Sequence, residues 1–142
     1  MIRILRALLL VAAFAAAPLR SQSAAPSRGT LYIVGGWPQP AALVREFVDL
    51  AGGRGKARIV VFAMASATGL ASGEEKAEQL RGLGAQARTV WVTRDQAMTD
   101  AIARLLDGAT GIWFGGGDQG RLADVLRDTP TERAIHARYA SR

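Results

Sequence analysis

The chain has 142 residues, with 18 Lys and Arg against 12 Asp and Glu, a formal charge of +6 and no cysteine, which excludes a disulfide framework, a thiol nucleophile, a thiolate metal site and a lipidated N-terminus. Three of the arginines fall in the first 25 residues, only two basic residues are lysines and the rest are scattered, which argues against a strong polyanion binder and so against nucleic acid as a partner. At 49% hydrophobic and 21% charged residues, the remainder suits one globular domain, or part of one, and not a disordered chain.

Arg3 and Arg6 form a short positive region, Ala7 to Ala17 an unbroken apolar run, and Pro18 to Pro26 a stretch of small and polar residues. This pattern predicts a signal peptide over residues 1–25, cleaved between Ala17 and Ala25. The run is shorter than the roughly 17 to 25 apolar residues that cross a bilayer. The mature chain, residues 26–142, is therefore expected to be exported, either periplasmic or secreted, with no stable membrane anchor after cleavage.

Thr30 to Val34 reads as a first buried strand closed by Gly35 and Gly36, followed by a helix over Pro40 to Ala51 with Leu43, Phe47 and Leu50 on one face. Arg58 to Phe62 is the second strand. Ser72 and Glu75 have capping-box spacing, and Ala77, Leu80 and Leu83 give the next helix its stripe before Gly84. Thr89 to Val92 is the third strand, Met98, Ile102, Leu105 and Leu106 line one further helix stopped by Gly108, and Gly111 to Phe114 is the fourth strand. A glycine turn, a short helix through Leu122, Val125 and Leu126, and a last helix opened by Thr129-Pro130 follow. Strands alternating with helices imply right-handed crossovers and a three-layer α/β fold with a parallel, doubly wound, flavodoxin-like sheet. No strand follows the last helix, so the pattern reads as a domain truncated after four strands.

Ligands of open α/β sheets bind beyond the carboxyl ends of the strands, where this chain places Gly35-Gly36-Trp37, Ala63 to Thr68 and Gly115-Gly116-Gly117-Asp118-Gln119-Gly120. The last turn matches G-x-G-x-x-G, yet it does not follow the first strand, it lacks the acidic ribose ligand about 20 residues on, and Asp118 would repel a pyrophosphate. Asp118 instead suits the N-cap of the following helix. Gln119 suits a hydrogen bond to a ligand, or a solvated position. Consecutive glycine N–H groups can hold an oxyanion, which points to acyl transfer. The nucleophile and base are missing: there is no G-x-S-x-G elbow, Ser66 lacks flanking glycines, and the single histidine, His136, lies mid-helix. No residues cluster at metal-ligand spacing, so neither metal nor cofactor is expected.

Gly29 to Gly36, Glu46 to Gly53, Ala57 to Val61 with Ala65-Ser66, Leu83 to Ala85, and above all Gly111 to Leu122 resemble the N-terminal half of a cyanophycinase-like protein. That family belongs to the S51 serine peptidases, of the class I glutamine-amidotransferase-like fold. Asp118-Gln119 favours it over dipeptidase E relatives, which usually carry Asn at the first of these positions. The resemblance implies that the N–H groups of Gly116 and Gly117 hold the oxyanion, and that Gly35, Gly36, Asp118 and Gln119 line the substrate site. It also implies a nucleophile serine on an elbow after the helix ending near Tyr139, and a histidine later still. Trp37 departs from the family, which usually has a third glycine there. The implied protein is an exported serine exopeptidase acting on an aspartate-arginine polymer (cyanophycin) or isoaspartyl-type peptides, a homodimer at full length and represented here by a fragment. The alternative is a non-catalytic secreted binding module whose glycine turns form an anion or peptide pocket.

Overall fold

The computed structural model describes residues 29–35 and 39–141, so the expected leader lies outside the described residues. Three strands, β1 (Arg58–Phe62), β2 (Gln86–Val90) and β3 (Gly111–Phe114), form a parallel sheet in the order β2-β1-β3. Arg58 pairs with Gln86 through to Phe62 with Val90 on one side, and Ile59 with Gly111 through to Phe62 with Phe114 on the other. The central place of β1 follows from its sequence. Its last four residues are consecutively apolar and buried, the composition of a parallel strand covered on both faces.

Side chains alternate across that strand and feed two apolar layers. Ile59 and Val61 pack with Val44 and Val48 of α1 (Ala41–Leu50) and with Ala77 and Leu80 of α2 (Leu70–Gly82). Val60 and Phe62 face the other way, onto Val90, Leu106, Ala97 of α3 (Arg94–Ala97) and Leu126 of α5 (Gln119–Leu126). Ile102 of α4 (Asp100–Arg104) and Ile135 of α6 (Pro130–Ala140) close the margin of this second layer. Burying each such side chain contributes about 1.5 to 3 kcal/mol. The result is the three-layer, parallel α/β arrangement that the alternation of strands and helices predicts.

Four elements differ from the sequence reading. The helix expected to open with a Ser72–Glu75 capping box is α2, which starts at Leu70 with Gly69 as its N-cap, so Ser72 lies inside it and donates to the Gly69 carbonyl at 3.0 Å. The expected first strand, Thr30 to Val34, makes no ladder, so the sheet has three strands among the described residues and not four. Tyr32 anchors this segment by donating to Glu46 Oε2 at 2.9 Å and by packing its ring 6.4 Å from that of Phe47. Leu31 and Ile33 remain 68% and 82% exposed. β propensity reflects fit to a pleated, half-buried surface, and those two side chains have no such surface beneath them. The strand expected at Thr89 to Val92 starts earlier, at Gln86, because register with β1 begins at Arg58. The single helix expected from Met98 onward is two short ones. Thr93 opens α3 with a capping box to Gln96, and Thr99 stands at the N-terminus of α4, its hydroxyl donating to the Gln96 carbonyl at 2.7 Å.

On the first layer, Phe47 meets Trp113 edge-on at 5.1 Å, and Lys76 Nζ sits 4.7 Å from the Trp113 ring while donating to Gln39 Oε1 at 3.0 Å. Burial lowers the Lys76 pKa from its ordinary value, and Glu75 partly counters this.

On the second layer, α6 begins as its sequence predicts. Thr129 is the N-cap, accepting from the Glu132 N–H at 3.1 Å, and Pro130 takes the first helical position. Two residues on, the fully buried Thr131 hydroxyl donates to the Ala97 carbonyl at 2.8 Å and ties α6 to α3. Thr131→Val keeps the shape but removes the donor from a buried carbonyl, and is expected to cost about 1 to 3 kcal/mol. Urea unfolding checks this, and an unchanged midpoint would show that the bond contributes nothing.

Candidate functional site

The two loops leaving β1 and β3 diverge, since α2 turns to the first layer and α5 to the second. Such a divergence opens a crevice at the carboxyl edge of the sheet. Main-chain bonds continue the pairing of β1 and β3 beyond their ends, from Gly115 N–H to the Phe62 carbonyl at 2.8 Å and from Asp118 N–H to the Ala65 carbonyl at 2.9 Å. Gly117, between them, has φ +136°, and a Cβ there would lie 2.2 Å from the Ala65 oxygen. No other residue type fits that approach.

Gly116 and Gly117 are exposed residues, and the N–H group of neither meets an acceptor among the described residues. Asp118 caps α5, its Oδ1 accepting from the Gly120 N–H at 2.7 Å. Gln119 is the first residue of α5, exposed, and its side-chain amide has no hydrogen-bond partner among the described residues. These four residues are therefore brought together in one turn. Gly35 is exposed, and a Cβ on it would meet nothing within 4 Å. Gly36 and Trp37 lie outside the described residues.

The facing loop holds Ser66 and Thr68. Their hydroxyl oxygens lie 3.0 Å apart, and Ser66 Oγ accepts from the Thr68 N–H at 3.2 Å. His136 is exposed on α6. Among the described residues no hydrogen bond joins a serine to a histidine.

Three further residues border this edge, to which the sequence reading assigned no role. Trp91, the first residue after β2, is half-exposed, and its indole lies so close to Gly69 that a Cβ there would be 2.8 Å from Nε1. Arg121 stands in the first turn of α5, and Met64 is buried beneath. With Ser66, Thr68 and Gly69 they line a groove of about 470 Å³. The position of Trp91, just past the carboxyl end of β2, and of Arg121, in the first turn of the helix that follows the glycine turn, was the available signal. Among the described residues, no group of three His, Asp or Glu is placed to hold a metal ion, and no helix is long and apolar enough to cross a membrane.

No family model matches the chain. Its fold is similar to that in the crystal structure of a peptidase from an acI-B1 Actinobacterium, with a TM-score of 0.60 and 23% identity. The match covers 71% of this chain and 44% of that one, so the region in common is less than half the length of the solved peptidase.

Proposed function

We propose that this chain supplies the oxyanion-holding, N-terminal half of an exported serine peptidase of the cyanophycinase-like S51 kind. The observation that carries this reading is the pair of N–H groups on the exposed Gly116 and Gly117, which meet no acceptor among the described residues and lie between the main-chain bonds of Gly115 and Asp118 at the carboxyl edge of a peptidase-like fold. In acyl transfer a serine hydroxyl attacks an amide carbon, and the carbonyl oxygen gains negative charge. A preorganised N–H aimed at that oxygen lowers the barrier by about 2.7 to 4 kcal/mol. Gln119, beside the pair, would hydrogen-bond the bound peptide. The nucleophile and its base are assigned to sequence beyond residue 142, because Ser66 is engaged with Thr68 and His136 lies on the outer surface of α6. The substrate class, an aspartate-arginine polymer or an isoaspartyl-type peptide, rests on the Gly111 to Leu122 block, and export rests on the leader.

The 142-residue chain alone is expected to hydrolyse neither aspartate-arginine polymer nor β-aspartyl dipeptides above background. A version extended through the missing elbow should do so, and Gln119→Ala in it should reduce kcat/KM by the equivalent of roughly 1 to 3 kcal/mol, one lost polar contact. Turnover by the 142-residue chain that is abolished by changing Ser66 or His136 would overturn the assignment. The Ser66–Thr68 pairing equally suits the second reading, a secreted module that binds peptide without cleaving it. That reading prevails if the native protein ends at Arg142.

A further inference from the structure

α5 carries the Gly116–Gly117 turn at its N-terminus, and its other end is held by a residue to which the peptidase reading gives no role. The last carbonyls of a helix have no partner within it. In α5 the Ala123 carbonyl accepts from the Arg127 N–H at 2.9 Å, and the Leu126 carbonyl accepts from the Thr129 N–H at 3.2 Å and from its hydroxyl at 2.6 Å. Arg94 meets two more carbonyls at this end, its Nη1 donating to Asp124 O at 2.9 Å and to Arg127 O at 3.0 Å. The guanidinium thus stands at the C-terminal end of α5, where a cation also meets the negative pole of the helix. Among the described residues, Arg81 bonds one main-chain carbonyl and Glu74, Arg138 pairs with Asp107, and no arginine but Arg94 bonds two carbonyls at the end of another helix.

Arg94 is itself firmly placed. It is the first residue of α3, which follows β2 closely, opens with the Thr93–Gln96 capping box and is tied to α6 where the Ala97 carbonyl accepts from the buried Thr131. Beyond Arg127 the chain turns through Asp128, at φ +61°, whose N–H donates to Glu132 Oε2 at 2.7 Å. The corner between α5 and α6 is therefore braced from α3.

The opposite end of α5 is coupled to that brace. Asp118 belongs to both parts, because its N–H fixes the glycine turn to the Ala65 carbonyl and its carboxylate caps α5 through Gly120. Gly117 has no free space against Ala65, so the turn and the first residues of the helix move together. α5 has 8 residues and is about 12 Å long, so a tilt of about 5° moves its end by about 1 Å. An error of that size in placing a catalytic group costs about a hundredfold in rate.

We propose that Arg94 is a positioning residue for the oxyanion turn, acting through α5 from the far end of the helix. The inference rests on the peptidase reading for what the turn does, while the placement of the turn is tested without catalysis.

The full 142-residue chain, isotope-labelled and followed by amide NMR, is compared with R94M, R94K and R104M, the last making the same change at an exposed arginine on α4. In R94M the amide resonances of Gly116 and Gly117 are expected to shift, and their order parameters to fall from about 0.85 toward about 0.6. Gly52, Gly53 and Gly55, in the loop that enters β1 at the opposite edge of the sheet, should keep theirs. R94K restores a charged donor and should return part of the loss, and R104M should leave the turn as in the parent. Circular dichroism confirms that each variant is folded. In a version extended through the missing elbow, R94M should lower kcat about tenfold or more at unchanged KM, since oxyanion donors and not binding groups are displaced. The proposal is overturned if only Asp124 to Arg127 respond in R94M, if R104M disturbs the turn as much, or if the extended R94M raises KM with kcat intact. An extended parent that cleaves no peptide would defeat the peptidase reading alone, because the resonances of Gly116 and Gly117 still decide whether Arg94 sets the turn.

Discussion

Gly117→Ala is expected to destabilise the chain by about 3 kcal/mol, from strain of about 1 to 3 kcal/mol at a backbone angle side chains rarely adopt and a disturbed hydrogen bond of about 0.5 to 1.5 kcal/mol. The added Cβ would sit 2.2 Å from the Ala65 oxygen. That oxygen already accepts from the Asp118 N–H at 2.9 Å, so the clash is relieved only by pulling the two loops apart. Gly116→Ala is the internal control. Nothing lies within 4 Å of a Cβ there and its φ is not positive, so its effect should stay within about 0.5 kcal/mol, as for most surface changes. Paired urea melts followed by circular dichroism decide the matter. Equal losses for the two variants would mean that the loops do not approach as described. In a catalytically complete version, the same movement would displace one of the two N–H donors from the oxyanion position.

Phe62→Ala should cost about 3 to 5 kcal/mol, a large part of the 5 to 15 kcal/mol that typically separates folded from unfolded domains. Phe62 is fully buried at the end of the central strand, stacked on Phe114 with centroids 5.7 Å apart and planes 16° from parallel. Its loss leaves a cavity directly under the loop that carries the Gly115 contact. Phe114 is 43% exposed, and Phe114→Ala is accordingly expected to cost clearly less. Phe62→Leu, which refills most of the volume, should recover the greater part of the stability. If truncating either ring lowered the unfolding midpoint equally, burial would not be what makes Phe62 matter.

Much of this architecture could be read from particular residues, for identifiable reasons. β1 and β3 were legible because Ile59 to Phe62 and Ile112 to Phe114 are short apolar runs bounded by charge or glycine, and α1 because Leu43 and Phe47 recur at helical spacing, although its buried face falls on Val44 and Val48 and the expected Leu50 is half-exposed. The boundaries of β2 were hidden. Gln86 and Arg88 point outward from an edge strand, and an edge does not demand the continuous apolar run that marks a central strand. Thr30 to Val34 has strand composition, but composition does not supply main-chain partners, and here Tyr32 holds the segment through Glu46 and Phe47. The break at Thr99 was concealed because apolar periodicity carries across it, while the competing signal is a hydroxyl that bonds back to Gln96.

The same division applies to the site. Three successive glycines after a strand, followed by an acid at the cap position, form a local pattern, so Gly116, Gly117, Asp118 and Gln119 could be named from sequence. The groove is assembled from a loop after β1, one residue after β2 and the first turn of α5. Its existence depends on strand order, and Trp91 by itself reads as the interior of a strand.

Because β1 sends Ile59 and Val61 to one side and Val60 and Phe62 to the other, the described residues form two apolar compartments with no buried residue in common, one on each side of the sheet. Packing losses in them should therefore be nearly independent: Leu80→Ala against α2 and Leu106→Ala on the opposite side share no side-chain neighbours, so their costs should sum in the double variant. Sequence change can accordingly proceed in one compartment without a matching change in the other. What both must preserve is the line of β1, since the glycine turn and the groove are fastened to its carboxyl end.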